Sequence, residues 1–178
     1  MLTSCCFLLY NVDRFFVFKD EWMFRIVVLS LCLLLYVNQA AAASNNIILS
    51  VSSKLGPSVE LDDAALAKLP QQKMRIPTPW FSTEQTFEGP LLRDVLKLAN
   101  IKNGNIKLVA LNDYEISIPV VDAFQYEVIV ARKRNDKLMT IRDKGPLFIM
   151  YPFQNHAELR ITEYFRRCSW QLRKIKAD

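Results

Sequence analysis

The chain has 178 residues, 51% of them hydrophobic, and its 23 lysines and arginines against 18 acidic residues give a net charge of +5. This composition excludes a disordered or fibrous protein and predicts one domain with a sizeable core. The positive charge is mild and spread along the chain, and no nucleic-acid-binding motif accompanies it. We therefore expect no nucleic acid as partner, while a small anionic ligand or a protein partner stays open.

The N-terminal part of the sequence is predicted to lie outside the fold. A charged start at Met23 to Arg25 precedes an apolar run from Ile26 to Val37 and then small residues suited to cleavage, which predicts a secretory signal peptide over residues 23–43. The run is short for a membrane span, so an uncleaved anchor is the less favoured alternative. Residues 1–22 carry acidic side chains that signal peptides lack, and we interpret them as an upstream segment from a start codon assigned too early. Residues 44–178 then form a periplasmic or secreted domain, with no stable membrane span after cleavage.

The folded domain is predicted to begin with a strand and a short helix. β-branched residues predict the strand at Asn46–Ser52, and Asp62 is placed to cap a short helix that Pro70 ends. Beyond this helix, Pro77 and Pro79 keep the chain extended and argue against a central strand.

The clearest helix is predicted to begin at Pro90, because proline suits the first helical position. Four apolar residues recur on one face of this helix: Leu92, Val95, Leu96 and Ala99. Strands at Ile106–Leu111 and Tyr114–Ile118 then flank Asn112 and Asp113, which predicts a hairpin with polar side chains at its tip. The segments that follow are a brief helix at Pro119–Gln125 and short strands at Val128–Ala131 and Leu138–Met139.

The most apolar strand follows a charged turn. Arg142 to Lys144 precede Gly145-Pro146, and Leu147–Tyr151 is long enough for a buried strand but short for a helix. Charged side chains at the mouth of such a strand are a common place for binding sites.

The C-terminal segment is predicted to contain a helix and a strand. Asn155 and Glu158 have the spacing of a capping box, which predicts a helix from Ala157 to about Phe165. Alternating apolar residues predict a final strand at Cys168–Ile175, with its first residue and Trp170 facing inward. Because no regular βαβ order appears, the predicted class is a single α+β domain with a mixed, mostly antiparallel sheet.

Four segments of the domain carry a family resemblance: Phe87–Leu96, Ala110–Tyr114, Gly145–Pro152 and Trp170–Ile175. In that order they resemble the sulfite-oxidase-like (oxidoreductase) molybdopterin-binding domain family, and the match covers most of residues 44–178. The resemblance implies an α+β fold, and with the predicted signal peptide the chain would be a small exported member of this family. In the catalytic members it implies a molybdenum atom held by a pterin dithiolene and a cysteine thiolate.

The cysteine that would ligate this metal is missing. Catalytic members carry it upstream of the helix predicted at Pro90, where this chain has Lys73 to Thr78. We expect Cys168, near the other end of the chain, to be a small buried hydrophobe, with an intermolecular bridge or a reactive thiol as alternatives. Arg25 also stands alone, whereas exported molybdoenzymes resemble one another in carrying a twin-arginine signal. We therefore expect no metal and no cofactor, molybdopterin being the one that the resemblance would supply.

The candidate binding residues are polar side chains in loops that the family builds into its cleft: Asn112, Asp113, Tyr114, Arg142, Lys144, His156, Arg160 and Gln171. His156 and Arg160 are one helical turn apart near a predicted helix start, which suits an anion, although ordinary surface positions explain the pair as well. Arg75 and Trp80 are weaker candidates, and Trp80 would either stack on a flat ligand or, as we prefer, fill the core.

The resulting functional hypothesis is a non-catalytic module that binds a small ligand or a partner. The alternative is a molybdopterin-dependent oxidoreductase of the sulfite-oxidase type, so whether the chain is an enzyme stays open. The sequence singles out no catalytic residue and no metal ligand.

Overall fold

The computed structural model describes Asn46–Lys54 and Gly56–Asp178. The predicted upstream segment and signal peptide therefore lie outside the described residues. Within the described ranges, no helix has both the length and the apolar composition that a membrane span requires.

Short strands alternate with short helices along the described chain. The strands are β1 (Ile47–Ser52), β2 (Val59–Asp62), β3 (Gln71–Ile76), β4 (Gln85–Pro90), β5 (Asn105–Ala110), β6 (Glu115–Pro119), β7 (Ile129–Ala131), β8 (Lys133–Arg134), β9 (Lys137–Leu138), β10 (Phe148–Met150) and β11 (Leu172–Ala177). The α-helices are α1 (Asp63–Lys68), α2 (Leu92–Leu98), α3 (Val120–Gln125) and α4 (Thr162–Arg167), and 3₁₀ turns form at Ile141–Asp143 and Ala157–Leu159. The predicted α+β class is confirmed.

The largest sheet joins the two ends of the domain. Its strand order is β2-β1-β11-β5-β6. Strand β11 runs parallel to β1, with Val51 opposite Ile175, and the other neighbours in this sheet are antiparallel. A second sheet, β3-β4-β8-β9, is antiparallel throughout, and β10 pairs with β7 in a third. The prediction of mixed, mostly antiparallel pairing is confirmed.

Local sequence signals place several of these elements correctly. The Asp62 carboxylate accepts a hydrogen bond from the Ala65 N–H at 2.7 Å and caps α1. Strand β3 is an outer strand of its sheet, and Pro77 and Pro79 follow its end, which agrees with the exclusion of a central strand there.

The strand after the charged turn lies at the centre of the core. All five residues of Leu147–Tyr151 are fully buried. One edge of β10 pairs with β7. Along the other edge the Ile149 N–H donates to the Ser169 carbonyl at 2.9 Å, and the Leu172 N–H donates to the Leu147 carbonyl at 3.0 Å. The buried strand predicted from the apolar run is confirmed, and it holds the segment that precedes β11.

The helix predicted from Pro90 begins later than expected. Pro90 is the last residue of β4, and α2 begins at Leu92. Strand β4 passes so close to β7 that a Cβ on Gly89 would lie 2.0 Å from the Val130 carbonyl oxygen. This close approach keeps the chain extended through Pro90. The apolar face is correct, since the four residues predicted to share it are buried: Leu92, Val95, Leu96 and Ala99.

The predicted helix from Ala157 to Phe165 is wrong, because the chain forms two separate turns of helix there. The first is the 3₁₀ turn at Ala157–Leu159, which has no side-chain cap, and the second is α4. Between them the Arg160 Nε–H donates to the Phe153 carbonyl at 2.7 Å, which ties the linking residues to the preceding loop. The Glu158 carboxylate contacts the His156 ring instead of closing a capping box.

The final strand begins at Leu172 rather than at Cys168. Gln171 has a left-handed backbone, with φ of +52°, and interrupts the predicted alternation. As a result the side chain of Ser169 is buried, at 4% exposure, whereas Trp170 is 40% exposed. The prediction that Trp170 faces inward is therefore wrong.

Candidate functional site

A cavity of about 450 Å³ lies beside α4 and the tip of the β5–β6 hairpin. This volume falls within the range of about 300–1,000 Å³ that is typical of small-molecule sites. Ten residues line it: Trp80, Ala110, Asn112, Tyr114, Thr162, Phe165, Arg166, Cys168, Ser169 and Trp170. Most of this wall is apolar or aromatic, with a few polar groups among the rings, as in ligand pockets generally.

The hairpin tip supplies one rim of the cavity. The Asn112 Oδ1 accepts a hydrogen bond from the Tyr114 N–H at 3.2 Å, and the Ala110 N–H donates to the Tyr114 carbonyl at 2.9 Å. Asp113 adopts a left-handed backbone, with φ of +63°. This is the turn chemistry that asparagine and aspartate favour, and it fixes Asn112 and Tyr114 at the rim.

The segment before β11 supplies the opposite wall, and the charged turn holds it in place. The Gln171 N–H donates to the Lys144 carbonyl at 2.9 Å, and the Gln171 amide donates to the Ile141 carbonyl at 2.9 Å. The Lys144 ammonium lies 4.4 Å from the centroid of the Trp170 ring, a cation–π contact. Lys144 and Gln171 thus position Trp170 beside the cavity.

Helix α4 carries three lining residues, and a buried ion pair anchors it. The Asp122 carboxylate is 4% exposed as a residue and accepts hydrogen bonds from the Tyr151 hydroxyl at 2.8 Å and from the Arg167 guanidinium at 2.5 Å. Burial, together with the Asp122 charge, raises the pKa of Tyr151 and keeps its hydroxyl protonated. The Arg167 guanidinium also lies 4.6 Å from the centroid of the Tyr164 ring. These contacts hold the helix against the core.

Aromatic rings form a corner of the cavity. The Trp80 ring lies 5.4 Å from Phe148, 6.1 Å from Phe165 and 6.3 Å from Trp170, measured between centroids. Its plane makes angles of 90° with Phe165 and 77° with Trp170. Trp80 therefore packs on the core and also presents an aromatic wall to the cavity.

Ser169 is the unusual polar group of this wall. Its side-chain oxygen is buried and has no hydrogen-bond partner in the described part of the chain. Leaving a buried hydroxyl unpaired costs about 1–3 kcal/mol, so native structures rarely keep one without a reason. Ser169 lines the cavity, but its side-chain oxygen has almost no accessible surface, so a ligand there meets the hydroxyl only after the side chain rotates.

Arg166 carries the formal charge of the cavity wall. It is exposed, and among the described residues no acidic side chain lies within ion-pair distance of it and none lines the cavity. The neighbouring Arg167 instead forms an ion pair with the buried Asp122. One arginine of the pair therefore anchors the helix while the other faces the cavity.

The predicted site residues divide into two groups. Asn112 and Tyr114 line the cavity, and Lys144 and Gln171 lie next to it through Trp170.

The other predicted residues lie elsewhere. Asp113 forms an ion pair with Arg173, Arg142 is exposed and does not line the cavity, and Arg75 pairs with Glu84 at 2.9 Å. The His156 ring contacts Glu158 at 3.0 Å, and Arg160 lines a second, smaller cavity of about 360 Å³. His156 and Arg160 do not share a helical face, because the helix that would have joined them is broken.

Sequence reasoning missed Arg166, Ser169 and Thr162. The favourable position of cations at a helix end accounts for Arg166 and Arg167 without a ligand, so the sequence does not mark Arg166 as a binding residue. Ser169 was hidden by the predicted alternation of the final strand. The arginine pair itself offers a signal. Adjacent residues of a helix point in different directions, so one arginine can pair with a buried carboxylate while the other stays available to a ligand.

The described residues do not fit a molybdenum centre held by a protein thiolate. Cys168 lines the cavity, but it is 3% exposed and its thiol donates to the Tyr164 carbonyl at 3.5 Å. Burial raises the pKa of this thiol to about 12, so the thiolate that a metal requires is disfavoured at neutral pH. Among the described residues there is also no group of three histidine, cysteine, aspartate or glutamate side chains that could hold a metal ion.

No protein-family model matches the chain, and no curated protein matches it significantly. Its structure is similar to the crystal structure of the sulfane dehydrogenase SoxCD from Paracoccus pantotrophus, with a TM-score of 0.56 and 11% sequence identity. The similarity covers 75% of this chain and 38% of that chain. At this identity the likeness concerns the fold alone. The described residues form a small α+β domain that resembles the sulfite-oxidase fold.

Proposed function

We propose that this domain binds a small ligand in the cavity beside α4 and does not perform molybdenum chemistry. The observation that carries the proposal is a cavity of ligand size whose wall combines aromatic rings with the exposed Arg166. The unpartnered hydroxyl of Ser169, a residue of the same wall, weakens the free protein, and a ligand that accepts its hydrogen bond after the side chain rotates removes that cost. Such local conflicts between stability and structure are expected at functional sites.

The rest of the wall supports a binding role. Aromatic side chains from three separate segments, Trp80, Tyr114 and Trp170, meet there with Arg166. Tyr114 is 56% exposed, so a large aromatic ring stands uncovered at the rim. The predicted signal peptide adds a location to the proposal, namely the periplasm or the outside of the cell. A protein partner is the other occupant that the sequence leaves open.

Blocking the cavity tests this function. Thr162 is exposed and lines the cavity, so Thr162→Trp is expected to fill it from the rim without disturbing the core. Fragment binding is measured from amide chemical-shift changes at Ser169 and Trp170. We expect fragments that shift these amides in the wild type to lose the effect in Thr162→Trp.

The matched control is Ser117→Trp, at an exposed position of β6 that does not line the cavity. It is expected to bind fragments as the wild type does. Both variants are expected to keep the wild-type melting temperature. If fragments shift the same amides equally in the wild type and in a folded Thr162→Trp, the cavity is not the binding site.

A molybdopterin-dependent oxidoreductase is the second candidate function. The fold likeness to a dehydrogenase favours it. The decisive measurement is the molybdenum content and pterin fluorescence of protein purified from the exported fraction of its own host. Stoichiometric metal and pterin would contradict the proposed binding module, and their absence would remove this second candidate.

A further inference from the structure

The geometry points to a planar aromatic monocarboxylate as the ligand, with its carboxylate bound by Arg166 and Ser169 and its ring packed against Trp80 and Trp170. This inference rests on the proposed function, because it assigns a chemical class to the ligand of the same cavity.

The aromatic wall selects for a flat ring. Trp80 and Trp170 stand at 77° to each other with their centroids 6.3 Å apart. A planar ligand that stacks on one indole therefore presents its edge to the other, and both are favourable aromatic geometries. Trp170 and Tyr114 are 40% and 56% exposed, so part of their ring surface is free to be covered. A saturated ring of the same size would bury area but lose these contacts.

The polar groups of the wall favour a ligand group that accepts hydrogen bonds. Ser169 and Thr162 bring hydroxyl groups, and Arg166 brings five guanidinium donors. Asn112 uses its amide oxygen to accept from the Tyr114 N–H, which leaves its amide N–H groups as donors at the rim. A ligand group that accepts several hydrogen bonds matches this set, whereas a donor-rich or cationic group does not.

The charge of the site selects for a single negative charge. Arg166 is the one charged residue that lines the cavity in the described ranges, and its fork of donors matches the two oxygens of a carboxylate. Lys144 does not line the cavity, and its ammonium instead lies over the Trp170 ring, 4.4 Å from the centroid. No glycine of the described chain lines the cavity, so the backbone cradle that usually surrounds a phosphate is missing.

Three matched probes test the class by isothermal titration calorimetry on the full chain. Naphthalene-2-carboxylate carries both predicted features, naphthalene-2-carboxamide lacks the charge, and decahydronaphthalene-2-carboxylate lacks the planar ring. We expect the first to bind about tenfold or more tightly than each of the others, as the loss of one charge-assisted bidentate contact or of the aromatic packing predicts.

Two variants test the residues. Arg166→Gln is expected to weaken naphthalene-2-carboxylate about tenfold and to remove its preference over the carboxamide. Ser169→Ala is expected to weaken it as well, but to leave the melting temperature unchanged or higher, because the substitution removes an unpaired buried hydroxyl. The controls are Lys102→Gln, which removes one exposed positive charge away from the cavity wall, and Ser117→Ala on β6.

The outcomes separate this inference from the proposed function. If the carboxamide or the saturated acid binds as tightly as naphthalene-2-carboxylate, the ligand class is wrong while the cavity remains a binding site. If none of the probes binds but other fragments shift the Ser169 and Trp170 amides, the ligand class is again wrong and the cavity remains a binding site. If neither probes nor fragments bind there, both fail. Wild-type affinity in folded Arg166→Gln and Ser169→Ala overturns the assignment of these two residues.

Discussion

Cys168 and Ser169 are neighbours on the cavity wall, and burial has opposite consequences for them. The Cys168 thiol has a partner, the Tyr164 carbonyl, and its raised pKa keeps it protonated. It behaves as the small buried hydrophobe expected from the sequence. The Ser169 hydroxyl has no such partner within the described chain, so its hydrogen bond is available to a ligand of the cavity once the side chain rotates. The chemistry of this wall therefore depends on hydrogen bonding rather than on a thiolate.

The Cys168 thiol is expected to resist alkylation in the native protein. Only the thiolate reacts, and burial raises the pKa of Cys168 from 9.0 to about 12. Native protein treated with iodoacetamide at about pH 8 should label this residue slowly, and the rate should rise toward the higher pKa. Because the folded pKa is the higher one, this thiol's contribution to stability is full below pH 9 and is lost as the pH rises toward 12.

Peptide mapping by mass spectrometry follows the labelling of Cys168 separately from the other cysteines. Urea-unfolded protein at the same pH is the control and should be labelled rapidly. Equally fast labelling of native protein would contradict the buried position and would show that Cys168 is a reactive thiol of the cavity.

Helix α4 is too short to be stable by itself, so its position depends on tertiary contacts. It has six residues and no side-chain cap. The Asp122–Arg167 pair and the Tyr151 hydroxyl bind it to α3 and to the residue after β10. Since Arg166 is next in the chain to Arg167, the anchor on one side of the helix determines where the free guanidinium stands. The packing of α4 and the position of Arg166 at the cavity are therefore coupled.

Removing the anchor should destabilise the protein much more than removing one hydrogen bond from it. Asp122→Ala leaves the Arg167 charge largely buried without its main partner, and we expect a loss of about 3 kcal/mol in the free energy of unfolding. Tyr151→Phe keeps the ion pair and should cost about 1 kcal/mol. Urea denaturation measures both.

The matched control for Asp122 is Glu115→Ala, which breaks an exposed pair with Lys176 and should change stability little. If Asp122→Ala and Glu115→Ala have equal effects, the buried pair does not anchor α4. The Asp122→Ala variant should also weaken ligand binding, because it frees the helix that carries Arg166.

Strand β11 joins the two ends of the described domain. It lies between β1 and β5, so it joins the first described strand to the middle of the chain. Its inward residues, Leu172 and Ile175, are fully buried. Because β1 and β11 are far apart in sequence, their pairing is a long-range contact that costs loop-closure entropy to form.

A chain that ends at Gln171 is therefore expected to lose cooperative unfolding. It would leave β1 without its parallel neighbour and β5 with an open edge. Near-ultraviolet circular dichroism during urea titration measures the transition. A chain that ends at Lys176 is the control, since it keeps most of β11 and loses its last pairing residue, the Asp178 N–H bond to the Asn105 carbonyl and the exposed Lys107–Asp178 ion pair. A sharp native-like transition in the chain ending at Gln171 would show that β11 is dispensable.

The local elements of this fold could be predicted because their signals are local. The Asp62 cap, the Asn112-Asp113 turn and the buried strand at Leu147–Tyr151 each depend on residues close to one another in the chain. Cap and turn side chains bind their own backbone, and an apolar run of strand length has to be buried. The fold class followed from the order of such elements.

The predictions that fail do so where contacts from outside the predicted element decide the backbone. Pro90 stays in a strand because Gly89 lies against Val130, and the predicted capping box gives way to contacts of Arg160 with Phe153. A left-handed Gln171 reverses which residues face inward near the chain end. Such steric and hydrogen-bonding constraints come from the neighbours that folding supplies.

The sequence by itself determined the class of domain, most of the strands and helices, and two rim residues of the cavity, Asn112 and Tyr114. Only the tertiary structure decided that these residues meet Trp80, Arg166 and Ser169 at one cavity. The physical reason is that a turn or a strand forms from neighbouring residues, whereas this cavity exists only between segments that are far apart in the sequence. The same packing buried the Ser169 hydroxyl and left it without a partner, which no local pattern records.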